Sequence, residues 1–158
     1  MAQSKVWIYQ ADRPLQDAEI ADIKQQVQQF LGNWHAHGSP LDADFEILHR
    51  LFLVLKVDEQ QAEASGCSID KSVALFKEIG QNYGVELFDR HQFAYEYNGE
   101  VYNDSLANLD DLVSDGYITD DTNVFNNLVR SVEEYEHKFR VPFSQSWHKR
   151  MLSPGVEA

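Results

Sequence analysis

Apolar side chains recur along the first hundred residues with two different periods. Between residues 17 and 32 they are spaced by three or four, which predicts a helix that ends at Gly32. The same spacing predicts a second helix over residues 69–83, ended by Gly84. A β-branched and aromatic run over residues 5–10 predicts strand one.

Three further segments have the two-residue period of strands. Residues 41–48 alternate between apolar and polar, which is typical of a half-buried strand at a sheet edge. Residues 51–57 are apolar on both faces and predict a central strand three, which a polar turn over 58–64 follows. His49 and Arg50 leave room only for a hairpin turn, although they lack the usual Asn-Gly chemistry. Residues 92–97 alternate again and lead through Asn98-Gly99, a strong hairpin signal, into residues 100–102.

The order β-α-β-β-α-β predicts an α+β fold of the ferredoxin-like type. The right-handed crossover rule then places strands one and three in the centre of the sheet, and strands two and four at its edges. We expect one domain over residues 1–150, made of a ferredoxin-like core (1–103) and a C-terminal α/β extension (104–150) that packs on it. Residues 151–158 are expected to form a flexible tail.

The last third of the chain is less regular. Residues 106–113 predict a short acidic helix, and residues 124–129 fit either a strand or a helix start, with a strand favoured. Ser131 followed by Glu134 is a capping-box pattern, which predicts a helix that runs to Phe139. Strand three carries apolar side chains on both faces, so its second face needs a cover. Residues 105–150 are expected to supply it, and homodimerisation through the open sheet face is the alternative.

Charge and composition exclude several classes of protein. The 158 residues include 13 lysines and arginines against 26 acids, so the net charge is -13, which disfavours nucleic-acid binding. No apolar run approaches the roughly 18 residues that span a bilayer, and the N-terminal residues lack the apolar segment of a signal peptide. A single cysteine cannot form an intrachain disulfide. We therefore expect a cytoplasmic protein that binds neither nucleic acid nor a membrane.

The sharpest candidate site is the turn that precedes the second helix. Here the backbone amides of Ser65, Gly66 and Ser68, together with the helix dipole, could hold an anion or activate the thiol of Cys67. Four nearby acids oppose both effects, since carboxylates repel anions and raise the pKa of a thiol: Asp58, Glu59, Glu63 and Asp70. A small buried side chain at Cys67, with Ser68 as the helix cap, is therefore the favoured interpretation.

Two functions follow from these residues. The first is a non-catalytic binding or interaction module for a protein or a small ligand, without a cofactor. The alternative is a small enzyme in which Cys67 is the nucleophile and His35 or His37 is its base. The two histidines supply at most two metal ligands and nothing else in the sequence completes a metal pattern, so no metal is expected.

Four runs resemble a family of small bacterial proteins without an established activity, whose members are often labelled ABC-transporter ATPases. The runs are residues 34–41, residues 58–70 (Asp58-Glu59 and Ser65-Gly66-Cys67-Ser68-Ile69-Asp70), residues 124–128 and residues 146–148. The resemblance implies no catalytic residue. The ATPase label itself requires a P-loop, G-x-x-x-x-G-K-[ST], whereas this chain contains no Gly-Lys pair, and we therefore reject the label.

Overall fold

The computed structural model describes residues 4–59 and 62–158, which form an α+β fold. The first half contains β1 (Ser4–Gln10), α1 (Asp17–Gly32), β2 (His35–Ala36), β3 (Ser39–Pro40), β4 (Asp42–Leu48), β5 (Phe52–Asp58) and α2 (Gly66–Tyr83). The second half contains β6 (Gln92–Tyr97), β7 (Glu100–Ser105), α3 (Leu109–Ser114), β8 (Asn123–Phe125), α4 (Val132–Lys138) and β9 (Arg140–Pro142). Three 3-10 helices complete it: Leu106–Asn108, Phe143–Gln145 and Trp147–Met151. Gln60 and Gln61, which belong to the predicted polar turn, and residues 1–3 lie outside the described residues.

The first sheet has the strand order β1-β5-β4, and both neighbours run antiparallel to β5. The predicted central position of strand three is therefore confirmed. The β4–β5 hairpin turns at His49 and Arg50, whose φ angles are both positive at 54° and 61°. The Leu51 N–H donates to the Leu48 carbonyl at 3.0 Å, which closes a type I′ turn without a glycine.

The fourth predicted strand, β6, belongs to a second sheet with the order β7-β6-β8-β9. Its hairpin with β7 turns at Asn98-Gly99, and its other edge pairs with β8 at Tyr95, so its partners are β7 and β8 instead of β1. Among the described residues, the pairing of strands one and four that a ferredoxin-like sheet requires is not found. Strand one, expected in the centre, is instead an edge strand of its sheet.

Both faces of the first sheet are covered by the chain itself. On one face, α1 and α2 bury a cluster that includes Trp34, Leu53 and Phe76. On the other face, the ring of Phe52 lies 5.0 Å from the rings of both Phe125 and Phe139, measured between centroids. A third cluster packs α3 and the C-terminal turns against the far side of the second sheet. The layers are therefore helices, sheet, sheet and helix.

Several boundaries differ from the prediction. Helix α2 begins at Gly66 rather than at residue 69, and its buried face includes Ser68 and Ser72. Residues 33–40, for which no strand is predicted, contain the two-residue strands β2 and β3. Strand β8 covers only the first part of the expected strand at 124–129. The N-cap at Ser131 is confirmed, because its hydroxyl accepts from the Glu134 N–H at 3.1 Å. The Glu134 carboxylate accepts from the Arg130 N–H at 3.0 Å, one residue before the position that a capping box requires.

No helix in the described ranges is both long enough and apolar enough to cross a membrane.

Candidate functional site

The predicted site at the start of α2 is occupied by a capping box. The Ser65 hydroxyl accepts from the Ser68 N–H at 3.1 Å, and the Ser68 hydroxyl accepts from the Ser65 N–H at 2.7 Å. The cap is therefore Ser65 and not Ser68, which corrects the sequence interpretation. Ser68 faces the core with 1% exposure, and Cys67, one residue earlier on the helix, faces solvent. The expected burial of Cys67 was wrong because the helix begins three residues earlier than predicted, which changes the phase of this turn.

The loop that carries the histidines does reach α2. The Trp34 indole Nε1 donates to the Ser68 carbonyl at 2.8 Å. However, His35 and His37 are both exposed. The two side chains would point to the same side only in an extended backbone, and His37 is not extended because its φ angle is 54°. Within residues 4–59 and 62–158, Cys67 has no hydrogen bond to a histidine, and no group of three metal-ligating side chains is found. The structure thus does not assemble a nucleophile and base at this end of the molecule.

A second location has the features of a binding site. A cleft of about 730 Å³ lies along the outer edge of β1, and we refer to it as the edge cleft. Five parts of the chain that are distant in sequence contribute to it. Its lining comprises residues 5–10 of β1, residues 87–90 and 92, residues 127–130, and the side chains of Ile69 and Trp147.

One wall of the edge cleft is the free edge of β1. In an antiparallel strand, alternate residues bond to opposite neighbours. The Ala11 N–H donates to Leu51 at 2.7 Å, so odd-numbered residues face β5, whereas the Val6 N–H donates outward to Arg130 at 3.0 Å. By the same alternation, the N–H and C=O of Ile8 point away from β5. No backbone hydrogen bond to Ile8 from outside the first sheet is found among the described residues.

The second wall is the segment that follows α2. Gly84 ends the helix with a left-handed φ of 63°. The chain then passes so close to α2 that a Cβ at Gly80 would lie 2.7 Å from the Val85 carbonyl oxygen, so only glycine fits there. The Glu86 N–H donates to the Asp12 carboxylate at 3.0 Å, and this bond fixes the segment beside the end of β1. Phe88 and the following residues thereby line the cleft.

The third wall is a turn organised by Asn126. Its side-chain Oδ1 accepts from the Leu128 N–H at 3.0 Å and from the Trp147 indole Nε1 at 3.1 Å. Its backbone N–H donates to the Phe139 carbonyl at 2.6 Å. Asparagine side chains commonly bond to the backbone two residues on and so end regular structure. The turn therefore ends β8 and places Asn127 and Leu128 on the cleft.

Asn127 carries an acceptor without a partner. The Gln10 amide Nε2 donates to the Phe93 carbonyl at 2.8 Å, which fixes the orientation of the Gln10 side chain. Its Oε1 then accepts from the Asn127 Nδ2 at 2.7 Å, and this bond fixes the orientation of Asn127 as well. The Asn127 Oδ1 is left buried and unsatisfied. A buried polar group without a partner costs about 1–3 kcal/mol.

The electrostatics of the edge cleft differ from those of the whole protein. Arg90 and Arg130 line it, both are exposed, and neither forms an ion pair within the described part of the chain. The Lys5 Nζ forms an ion pair with the Glu59 Oε1 at 3.2 Å. The Asp89 carboxylate accepts from the His91 N–H at 2.9 Å. In a chain with a net charge of -13, two unpaired guanidinium groups make the cleft a local site for an anion.

A buried Ser–His contact lies behind the cleft. The Ser146 hydroxyl contacts the His148 Nδ1, and it also accepts from the His148 N–H at 3.1 Å as the cap of the last 3-10 helix. Both side chains are buried, and burial lowers the pKa of His148 to about 4. The imidazole stacks on Trp147 with 3.8 Å between ring centroids. This pair is part of the packing that supports Trp147, and a substrate has no access to it.

Sequence reasoning missed the edge cleft because its walls meet only in three dimensions. A signal was nevertheless present, since two of the runs that carry the family resemblance, residues 124–128 and 146–148, meet at the bond between Trp147 and Asn126. No family model matches the chain, and no curated protein or solved structure matches it either. The resemblance therefore stays a prediction.

Proposed function

We propose that the protein is a non-catalytic binding module that holds a protein segment or a small ligand in the edge cleft. The observation that carries the proposal is the free backbone edge of β1 at Ile8, which lines the cleft together with two arginines that form no ion pair among the described residues. The outward N–H and C=O of Ile8 are incomplete hydrogen-bonding groups, and a ligand with its own donors and acceptors would complete them. The enzyme alternative has less support, because exposed Cys67 has no hydrogen-bonded base among the described residues.

We also propose that the first sheet is an incomplete ferredoxin-like sheet. The order β1-β5-β4 reproduces three strands of a ferredoxin-like sheet, in which a fourth strand would lie beside β1. That position is the edge cleft. A cytoplasmic location is proposed with it, since an exposed cysteine suits a reducing compartment.

The test is an NMR screen of the uniformly ¹⁵N-labelled full-length chain. The probes are a fragment library and pools of randomised five-residue peptides. We expect saturable shifts of the amides of Ile8 and Leu128 and of the Trp147 indole, because Ile8 lies on the first wall of the cleft and the other two groups lie on the third. The amides around Cys67, at the start of α2, serve as the internal comparison.

Saturable shifts confined to the cleft would support the module. Hits that cluster around Cys67 and its neighbouring histidines would favour the enzyme alternative instead. A screen in which no fragment or peptide shifts the cleft amides would contradict the proposal.

A further inference from the structure

We propose that the edge cleft takes an extended acidic peptide, which adds to the first sheet as a strand beside β1. This inference rests on the proposed function and names its ligand class. Two independent features of the cleft select this ligand: the free backbone edge at Ile8 and the arginines that form no ion pair among the described residues.

The backbone edge is already used for strand addition along part of its length. Lys5 forms an antiparallel bridge with Ser131, and the Val6 N–H donates to the Arg130 carbonyl. Beyond that point the chain turns away at residues 126–129, and Ile8 keeps an outward N–H and C=O. A peptide residue placed opposite Ile8 can exchange both hydrogen bonds with it, as in a regular antiparallel pair. The added strand would lie in line with residues 130–131.

The charges select an acidic sequence over a basic one. The guanidinium groups of Arg90 and Arg130 are exposed on the cleft and have no ion pair within the described ranges. Arginine binds carboxylates in a two-pronged geometry, which adds direction to the charge attraction. Lys5 is paired with Glu59, and the Asp89 carboxylate accepts only from a backbone N–H and keeps its negative charge. The two arginines therefore still leave an excess of positive charge along the cleft. The net charge of -13 repels an acidic ligand at long range, but salt screens that repulsion beyond about 8–10 Å, whereas direct pairs persist.

The exposed apolar side chains of the cleft favour a peptide in which acidic and apolar residues alternate. Leu128 is 64% exposed and Phe88 is 37% exposed, and both line the cleft. Side chains of an extended peptide alternate between two faces. Acidic residues at every second position would leave the intervening positions to contact these apolar groups.

The experiment compares three pools of N-acetylated, C-amidated five-residue peptides on the full-length protein. The first and third positions are fixed as glutamate, lysine or serine, and the others are randomised. Binding is measured by NMR titration of the amides of Ile8 and Leu128. We expect the glutamate pool to bind about tenfold more tightly than the lysine pool, with the serine pool between them.

Charge reversal on the protein is the second arm. The double variant Arg90→Glu and Arg130→Glu should weaken binding of the glutamate pool by about tenfold or more. The matched control is Lys24→Glu with Arg150→Glu, which makes the same change in net charge at exposed positions outside the cleft. The control should change binding by no more than about twofold. All four substituted side chains are exposed, so the fold is retained.

Backbone methylation is the third arm and tests strand addition directly. Tight binders from the glutamate pool are resynthesised with N-methyl groups at either the odd or the even positions. At least one of the two sets should lose binding, since each set removes the donors of one strand edge. If both methylated sets bind like the parent peptide, strand addition is wrong.

The outcomes separate this inference from the proposed function. Cleft shifts with lysine or serine peptides, but no preference for glutamate, would overturn the acidic ligand while the binding module stands. Equal effects of the cleft and control charge variants would also overturn it. If neither fragments nor any peptide pool shifts the cleft amides, both the inference and the proposed function fail.

Discussion

The imidazole of His148 is held neutral by its surroundings. It is 1% exposed, it stacks on Trp147, and its centroid lies 5.7 Å from that of Phe93. Burial disfavours the charged form and lowers the pKa from 6.5 to about 4. The unfolded chain regains the ordinary pKa, so between these two values the unfolded state binds a proton that the folded state does not.

The contribution of neutral His148 to the free energy of unfolding should therefore be fully present above pH 6.5 and should be lost as the pH drops towards 4. Integrated over that window, His148 accounts for a loss of roughly 3 kcal/mol. The measurement is urea unfolding of the wild type and of His148→Gln at pH 7, 6 and 5. The variant is less stable at pH 7 but should lose less stability on acidification.

His137→Gln is the matched control, because His137 is exposed on α4. It should keep the pH dependence of the wild type. Parallel curves for the wild type and His148→Gln would show that another group controls the acid response.

At the scale of single residues, the sequence predicted a hydrogen bond only where its two partners are close neighbours in the chain. The hydroxyl of Ser131 and the N–H of Glu134 lie three residues apart, and their bond was predictable. The orphan Oδ1 of Asn127 depends instead on a bond between Gln10 and Phe93, which are 83 residues apart. The predicted burial of Cys67 was wrong for a local reason, since the residue at which α2 begins decides which side chain of its first turn faces the core.

At the scale of elements, the β4–β5 hairpin is held by a turn of unusual composition. Both His49 and Arg50 adopt left-handed backbone angles, which cost about 1–2 kcal/mol per residue relative to glycine. The Arg50 side chain offsets part of this with an ion pair to Asp17 at 2.6 Å. Exposed pairs of this kind contribute about 0–1 kcal/mol.

Replacing the turn with the favoured dipeptide, His49→Asn with Arg50→Gly, should therefore raise the free energy of unfolding by about 1 kcal/mol. Thermal or urea unfolding measures the change. Asp17→Asn is the control, since it removes the ion pair and leaves the turn unchanged. A double variant less stable than Asp17→Asn would show that the rings around His49, including Phe125 at 5.4 Å, stabilise the native turn more than its backbone costs.

The elements with long periodic patterns were predictable, and their partners were not. Helix α1 has the predicted limits, and β5 has the predicted central place. The second sheet depends on β8 and β9, which have three residues each, and β6 meets β8 through a single residue pair, Tyr95 and Val124. Three residues show too little alternation of apolar and polar positions to predict which strand they pair with. The pairing of β6 with β8 was therefore not predicted, and β6 was assigned to the wrong sheet.

At the scale of the whole molecule, the two sheets share one apolar layer. Phe52 of the first sheet is fully buried against Phe125 and Phe139, and Val54 and Ala94 belong to the same cluster. The edge cleft lies at the margin of this layer, since Val6 and Val129 contribute to both. A ligand held there would contact both sheets, so the cleft keeps its shape only while the sheets stay packed.

The two halves should therefore unfold together. Phe52→Ala should lower the free energy of unfolding by about 3–5 kcal/mol, because it leaves a cavity between the sheets. Two single-tryptophan proteins report on the halves: one retains Trp34, buried beneath the helices, and the other retains Trp147, bonded to Asn126 of the second half. Phe52→Ala should lower the free energy of unfolding by the same amount in both backgrounds, whichever tryptophan reports the transition. Tyr117→Ala, at a side chain that is 44% exposed, should change it by no more than about 1 kcal/mol in either background. A loss seen by one tryptophan and not by the other would mean that the halves are independent folding units and that the shared layer does not couple them.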